Sequence, residues 1–118
     1  MTKEESPFFK DNLVRRIWHN NEWWFVIEDL LLTLTETINP KKLLWEMRQR
    51  DLELDKNYRK LTCILEYNAK NQSWAMDCTN IEGFFRIVQS INAPKAESFK
   101  LWLAKLGKNR VDELSENT

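Results

Sequence analysis

Glycine, proline, histidine and cysteine are all scarce in this chain. Its 118 residues hold two Gly, three Pro, one His and two Cys. So few glycines and prolines argue against a loop-rich or repetitive architecture. With Gly83 and Gly107 as the only glycines, there is no glycine-rich loop to cradle a phosphate. One His and no close Cys pair leave a zinc site without ligands. His19 falls in a predicted turn, where an exposed residue needs no further role. Glu28, Asp29, Asp77 and Glu82 are available for acid–base work, but paired carboxylates arise too easily by chance to signal catalysis. The composition points to no cofactor, no metal and no enzyme.

A long apolar run is also missing. No stretch approaches the roughly 20 apolar residues of a membrane-spanning helix, so no membrane partner is expected. The opening residues, MTKEESPFFKDNLVRR, show no apolar core of a secretory signal. The expectation is a cytoplasmic protein in which Cys63 and Cys78 are free thiols. Net charge is zero, which speaks against a strongly electrostatic nucleic-acid binder. Its distribution is uneven. Residues 86–110 carry six bases against one acid, 41–60 seven against four, and 20–40 four acids with no base. Those windows give either a basic and an acidic face or ordinary solvated surface.

What is abundant is aromatic and aliphatic mass. Hydrophobic residues make up 42%, with six Trp and six Phe, enough for one domain over residues 1–118 with one core. Its ends, about 1–11 and 115–118, are expected to fray. The stretch from Thr79 to Val111 organises the rest. Thr79 and Glu82 have capping-box spacing. Ile81, Phe84, Phe85, Val88 and Ile91 follow in steps of three and four, which predicts a helix. Pro94 suits the first turn of a second helix, with Ala96, Phe99, Trp102, Leu103 and Leu106 on one stripe. Gly107 is placed to end it, and Lys108 to Leu114 to form a last short helix.

Earlier in the chain, Leu13–Trp18 and Trp23–Ile27 read as strands joined by an Asn20-Asn21 turn, because Asn tolerates positive φ. Arg15 and Arg16 then point to opposite faces, so one of them must be paired or lie at an edge. Glu28 and Asp29 open a helix that buries Leu30, Leu31 and Leu34. Asn39 caps, and Pro40 starts, a helix to about Asp51, with Leu43, Leu44 and Met47 inward. Trp45 is expected to be partly buried against the hairpin, or else exposed with Arg48 stacked on it. Leu52–Lys60 reads as irregular. Leu61–Tyr67 and Trp74–Cys78 read as strands connected by Asn68–Ser73. The fold class is α+β: a small antiparallel sheet with an N-terminal β-hairpin, packed against several helices including a C-terminal helical hairpin.

Two blocks resemble a known family. WHNNEWWFVIEDLLLTLT (18–35) resembles the opening of the Bro-N domain, and MDCTNIEGFFRIVQSINAPKAESFKLWLAKLGKNRV (76–111) resembles its most recognisable block in prophage antirepressor-type proteins. In the second block Ser90, Pro94, Lys95, Ala96, Phe99 and Trp102 carry the pattern. The resemblance implies helices on a small antiparallel sheet. It also implies DNA binding or transcriptional control in phages, prophages or large DNA viruses. Family members commonly carry a further C-terminal domain.

Three hypotheses follow. For double-stranded DNA, the candidate contacts are Arg15, Arg16, Lys41, Lys42, Arg48, Arg50, Lys95, Lys100 and Lys105, since phosphate contacts need Lys and Arg. For a repressor protein bound without DNA, the anchors are Trp18, Trp23, Trp45 and Tyr58. For a homodimer, the Phe99–Leu106 stripe pairs between copies.

Overall fold

A computed structural model describes residues 14–116. Of the ends expected to fray, 1–11 and 117–118 lie outside the described residues, and 115 and 116 continue a helix. The elements run β1 (Arg16–His19), β2 (Glu22–Val26), α1 (Ile27–Leu34), α2 (Pro40–Arg50), α3 (Leu52–Leu61), β3 (Thr62–Ala69), β4 (Gln72–Thr79), α4 (Ile81–Gln89) and α5 (Pro94–Glu116). The architecture is α+β, with an N-terminal hairpin and helices on an antiparallel sheet.

Both hairpins turn on two residues with positive φ. Asn20 and Asn21 lie at 51° and 63°, and Lys70 and Asn71 at 50° and 63°. That geometry matches the right-handed twist of the strands it joins. The first turn was legible from its paired Asn. In the second, β3 and β4 run further than predicted, so the connection shrinks from Asn68–Ser73 to Lys70-Asn71. The sheet order is β1-β2-β4-β3. β2 meets β4 at Phe25↔Thr79 and Val26↔Cys78, so the hairpins overlap at their bases and their tips point in opposite directions.

Strand alternation divides the aromatics between two faces. Phe25 joins the helices in the main core, with Phe84 at its centre. The Phe84 ring sits 4.9 Å from Phe25, 5.9 Å from Phe85 and 5.7 Å from Phe99. Leu30, Leu31 and Leu34 of α1 and Met47 of α2 complete that core, with Leu43 and Leu44 packed beside it. On the other face Trp24, Val26 and Cys78 form a smaller cluster with Ile17, Cys63, Leu65 and Met76. Cys63 and Cys78 face each other across β3 and β4, and both are free thiols.

Four local expectations are corrected. Leu52–Lys60 is helix α3. Asp51 accepts from the Leu54 amide at 3.1 Å, acids fill the first turn and bases the last, and both ends complement the helix dipole. Thr79 does not cap α4. It ends β4 and donates its hydroxyl to Leu61 O at 2.7 Å, while Asn80 caps by accepting from Gly83 N at 2.9 Å. Ile81 is exposed, and Gly83 and Ile87 take the inward positions beside Phe84 and Val88. Gly107 does not end α5, which runs on through Lys108–Leu114 to Glu116; its φ stays negative, as in any helical residue.

Candidate functional site

Several of the nine basic candidates are engaged within the fold. Arg15 donates to Asp29 through Nε at 2.7 Å and Nη2 at 3.0 Å. Arg48 donates to Asp55 at 2.8 Å and lies 3.9 Å over the Tyr58 ring. Arg50 donates to Ser90 O at 2.6 Å. Lys100 donates to Ile91 O and to Glu97, both at 2.9 Å. Arg50 and Lys100 thus serve carbonyls at the C-terminal end of α4, where cations complement the dipole. Lys95 makes only a loose exposed pair with Glu36 at 3.8 Å.

Arg16, Lys41, Lys42 and Lys105 remain exposed and without an acidic partner among the described residues. Lys56, Arg59 and Lys60 on α3 share that condition. Their i, i+3, i+4 spacing sets them on one helix face. That spacing was visible in the sequence and was obscured by reading the segment as irregular.

The four aromatic candidates divide likewise. Tyr58 is half-buried under Arg48. Burial, with Asp77 adding to it, pushes its hydroxyl up to about 12, so it is packed structure. Trp45 is 63% exposed on α2, not buried against the hairpin as expected. Arg48 stacks on Tyr58 and leaves Trp45 open.

Trp18 and Trp23 are cross-strand partners, exposed at 57% and 39%. Their rings meet edge-to-face at 5.1 Å. The Arg16 guanidinium stands 4.4 Å over Trp23. Strand alternation places all three on one face of the β1–β2 hairpin. The sheet holds a second group of the same composition. Arg15 lies 5.2 Å from the Tyr67 ring, and Tyr67 lies 6.5 Å from Trp74. Adjacent arginines therefore each serve one aromatic pair, on opposite faces. They differ in charge. Asp29 neutralises Arg15 and its hydrogen bond holds that guanidinium in the charged form, whereas Arg16 has no acidic partner among the described residues. Arg16, Trp18 and Trp23 combine an uncancelled cation with open aromatic surface, which suits an anion carrying flat apolar groups.

A groove of about 670 Å³ runs between α3 and α4 and includes Asn57, Lys60, Glu82, Phe85 and Arg86. Its Arg86 is tied to Asp51 at 2.8 Å. Among the described residues no group of three His, Cys, Asp or Glu could hold a metal ion. His19 closes β1 rather than lying in the turn, and its carbonyl accepts from Trp24 Nε1 at 3.0 Å. No helix among the described residues is long and apolar enough to cross a membrane.

Comparison with known proteins adds one finding. The family model described as "BRO family, N-terminal domain" matches residues 13–111. No curated protein and no solved structure matches the chain.

Proposed function

The chain belongs to the BRO family as its N-terminal domain, and on that premise we propose that it is a DNA-binding, transcription-regulatory domain of a phage or prophage antirepressor-type protein. The observation that carries this reading is the exposed, unneutralised Arg16 over Trp23 beside Trp18. A two-stranded ribbon fits the major groove of duplex DNA. Lys41, Lys42 and Lys105, also without acidic partners among the described residues, supply contacts to phosphate. The domain acts by binding rather than catalysis, in the cytoplasm where such DNA is transcribed.

The test is fluorescence anisotropy of a labelled mixed-sequence duplex at several salt concentrations. Affinity should fall steeply with salt. Arg16→Ala should weaken binding, and loss of one phosphate contact should lower the salt slope by about one. No binding at low salt overturns the reading.

A second reading rests on the exposed tryptophans. Exposed Trp18, Trp23 and Trp45 on a chain of zero net charge suit anchors for a repressor protein. Retention of a purified repressor by this chain, lost in Trp18→Ala, together with absent duplex binding, would favour it.

A further inference from the structure

Cys63 and Cys78 are the only cysteines of the chain, and neither belongs to the surface proposed to bind DNA. Register brings them together. β3 and β4 leave the Lys70-Asn71 turn paired residue for residue, from Ala69↔Gln72 back to Thr62↔Thr79, which sets Cys63 opposite Cys78. Directly opposed residues of an antiparallel pair point to the same face, with Cα atoms about 4.5–5.5 Å apart. A disulfide spans Cα separations of about 4.4–6.8 Å. Both side chains enter the small sheet cluster with Trp24 and Val26. Burial raises the Cys78 thiol, and the nearby Cys63 sulfur adds to that shift.

The two thiols differ in access. Cys63 is partly exposed and Cys78 is buried. An oxidant arriving from solvent therefore meets Cys63 first, and Cys78 stands directly across the ladder from whatever forms there. Burial raises both thiols above the ordinary value, so little thiolate is present at neutral pH and the first step is slow. The second step joins two groups already held side by side, so it needs no encounter from solution.

We propose that Cys63 and Cys78 form a two-electron redox pair that a hydroperoxide converts to an intramolecular disulfide. With hydrogen peroxide, the Cys63 thiolate attacks one peroxide oxygen. The S–O bond forms as the O–O bond breaks, sulfur is oxidised to a sulfenic acid, and the departing hydroxide takes the proton that Cys63 lost. Cys78 Sγ then attacks the Cys63 sulfur. The S–S bond forms, the S–O bond breaks, and the hydroxyl leaves as water with the Cys78 proton. Two thiols and one peroxide thus give one disulfide and two waters. The bond closes a ring over β3, the turn and β4, which their ladder already holds together, so the strands keep their register. A dithiol reductant reverses it by exchange.

The test treats the reduced, folded chain with hydrogen peroxide, at an exposure that oxidises both thiols in denaturant. Remaining thiols are alkylated and tryptic peptides are mapped by mass. Cleavage after Lys60, Lys70 and Arg86 puts the cysteines on separate peptides, 61–70 and 71–86. We expect these two as one linked species that separates on reduction, from a chain that runs as a monomer on a non-reducing gel with unchanged circular dichroism. Cys78→Ser should stop at the sulfenic acid on Cys63, trapped by dimedone, and Cys63→Ser should leave Cys78 free for alkylation. The measurements on the native chain decide the matter even where a variant fails to fold. Two free thiols after treatment overturn the proposal. So does sulfinic or sulfonic acid on Cys63 beside a free Cys78, a disulfide between two chains, or an altered fold in the linked product.

Discussion

Arg15 and Asp29 are joined by three hydrogen bonds. Two run from the guanidinium at 2.7 and 3.0 Å, and one runs from the Arg15 amide at 2.9 Å. Asp29 is buried in the first turn of α1, so the pair ties the beginning of the sheet to the first helix. Asp29→Ala leaves Arg15 without its anion and should cost about 2–3 kcal/mol, read as a lower urea midpoint. Arg15→Ala should lose stability but leave the salt slope of duplex binding unchanged. Arg16→Ala should do the reverse. Equal effects of the two on binding would remove the distinction between the faces.

Acid should act through Asp51. Its carboxylate accepts from the Arg86 side chain and from the Leu54 amide. The Arg86 bond is the larger cause that lowers its pKa from 3.8 to about 2. A depressed folded pKa contributes stability that is complete above the ordinary value and is lost as pH falls through the folded one. The thermal midpoint should therefore drop between about pH 4 and pH 2 by more in the native chain than in Asp51→Asn. Parallel curves would mean the pair contributes nothing.

The two glycines should respond oppositely to alanine. A Cβ at Gly83 would collide with the Thr79 hydroxyl oxygen and lie 2.9 Å from both Leu61 Cβ and Leu61 O. Gly83→Ala should thus destabilise by about 1–3 kcal/mol, since overpacking forces the backbone to shift. Gly107→Ala meets open space among the described residues and should raise helicity by circular dichroism, worth about 1 kcal/mol locally. A stable Gly83→Ala protein would show that α4 can slide away from β4.

The tryptophans divide by burial. Trp24 is buried on β2 and donates to His19 O, so Trp24→Ala should cost about 3–5 kcal/mol. Trp18→Ala and Trp45→Ala remove exposed rings and should stay within about 0.5 kcal/mol. Urea titration of the three variants separates the outcomes.

The facing cysteines should be sluggish nucleophiles. Burial raises both thiols, Cys78 to about 11, with Cys63 and Asp77 adding to it. Thiolate is the reactive form. Colorimetric thiol titration at neutral pH should proceed far more slowly in the folded chain than in denaturant. Equal rates would mean the small sheet cluster opens freely.

Much of this architecture was legible in the residues. Asn20-Asn21, Asn39-Pro40 and Pro94 each carry local chemistry that sets a backbone angle or a cap, and each was read correctly. α3 was missed because charged residues of both signs crowd it, although Leu54, Tyr58 and Leu61 keep helical spacing along its inner side. The cap of α4 was misplaced by one residue because Thr79 satisfies the capping pattern equally well. Only the pairing of β4 with β2 and β3, and the bond to Leu61 O, draws it into the sheet.

By itself the sequence determined most of the elements, the family and the two arginine faces, because φ preference, capping and side-chain period act over a few residues. Tertiary structure alone decided which charges are free. The partners that occupy the basic side chains are distant along the chain: Asp29 for Arg15, Asp51 for Arg86, and Ser90 O for Arg50, at separations of 14, 35 and 40 residues. Folding brings those groups within hydrogen-bond distance, and no local rule specifies which pairs will meet. What folding leaves unneutralised includes Arg16 beside two open tryptophans, together with an apolar stripe on α5 that runs past the domain that buries its beginning.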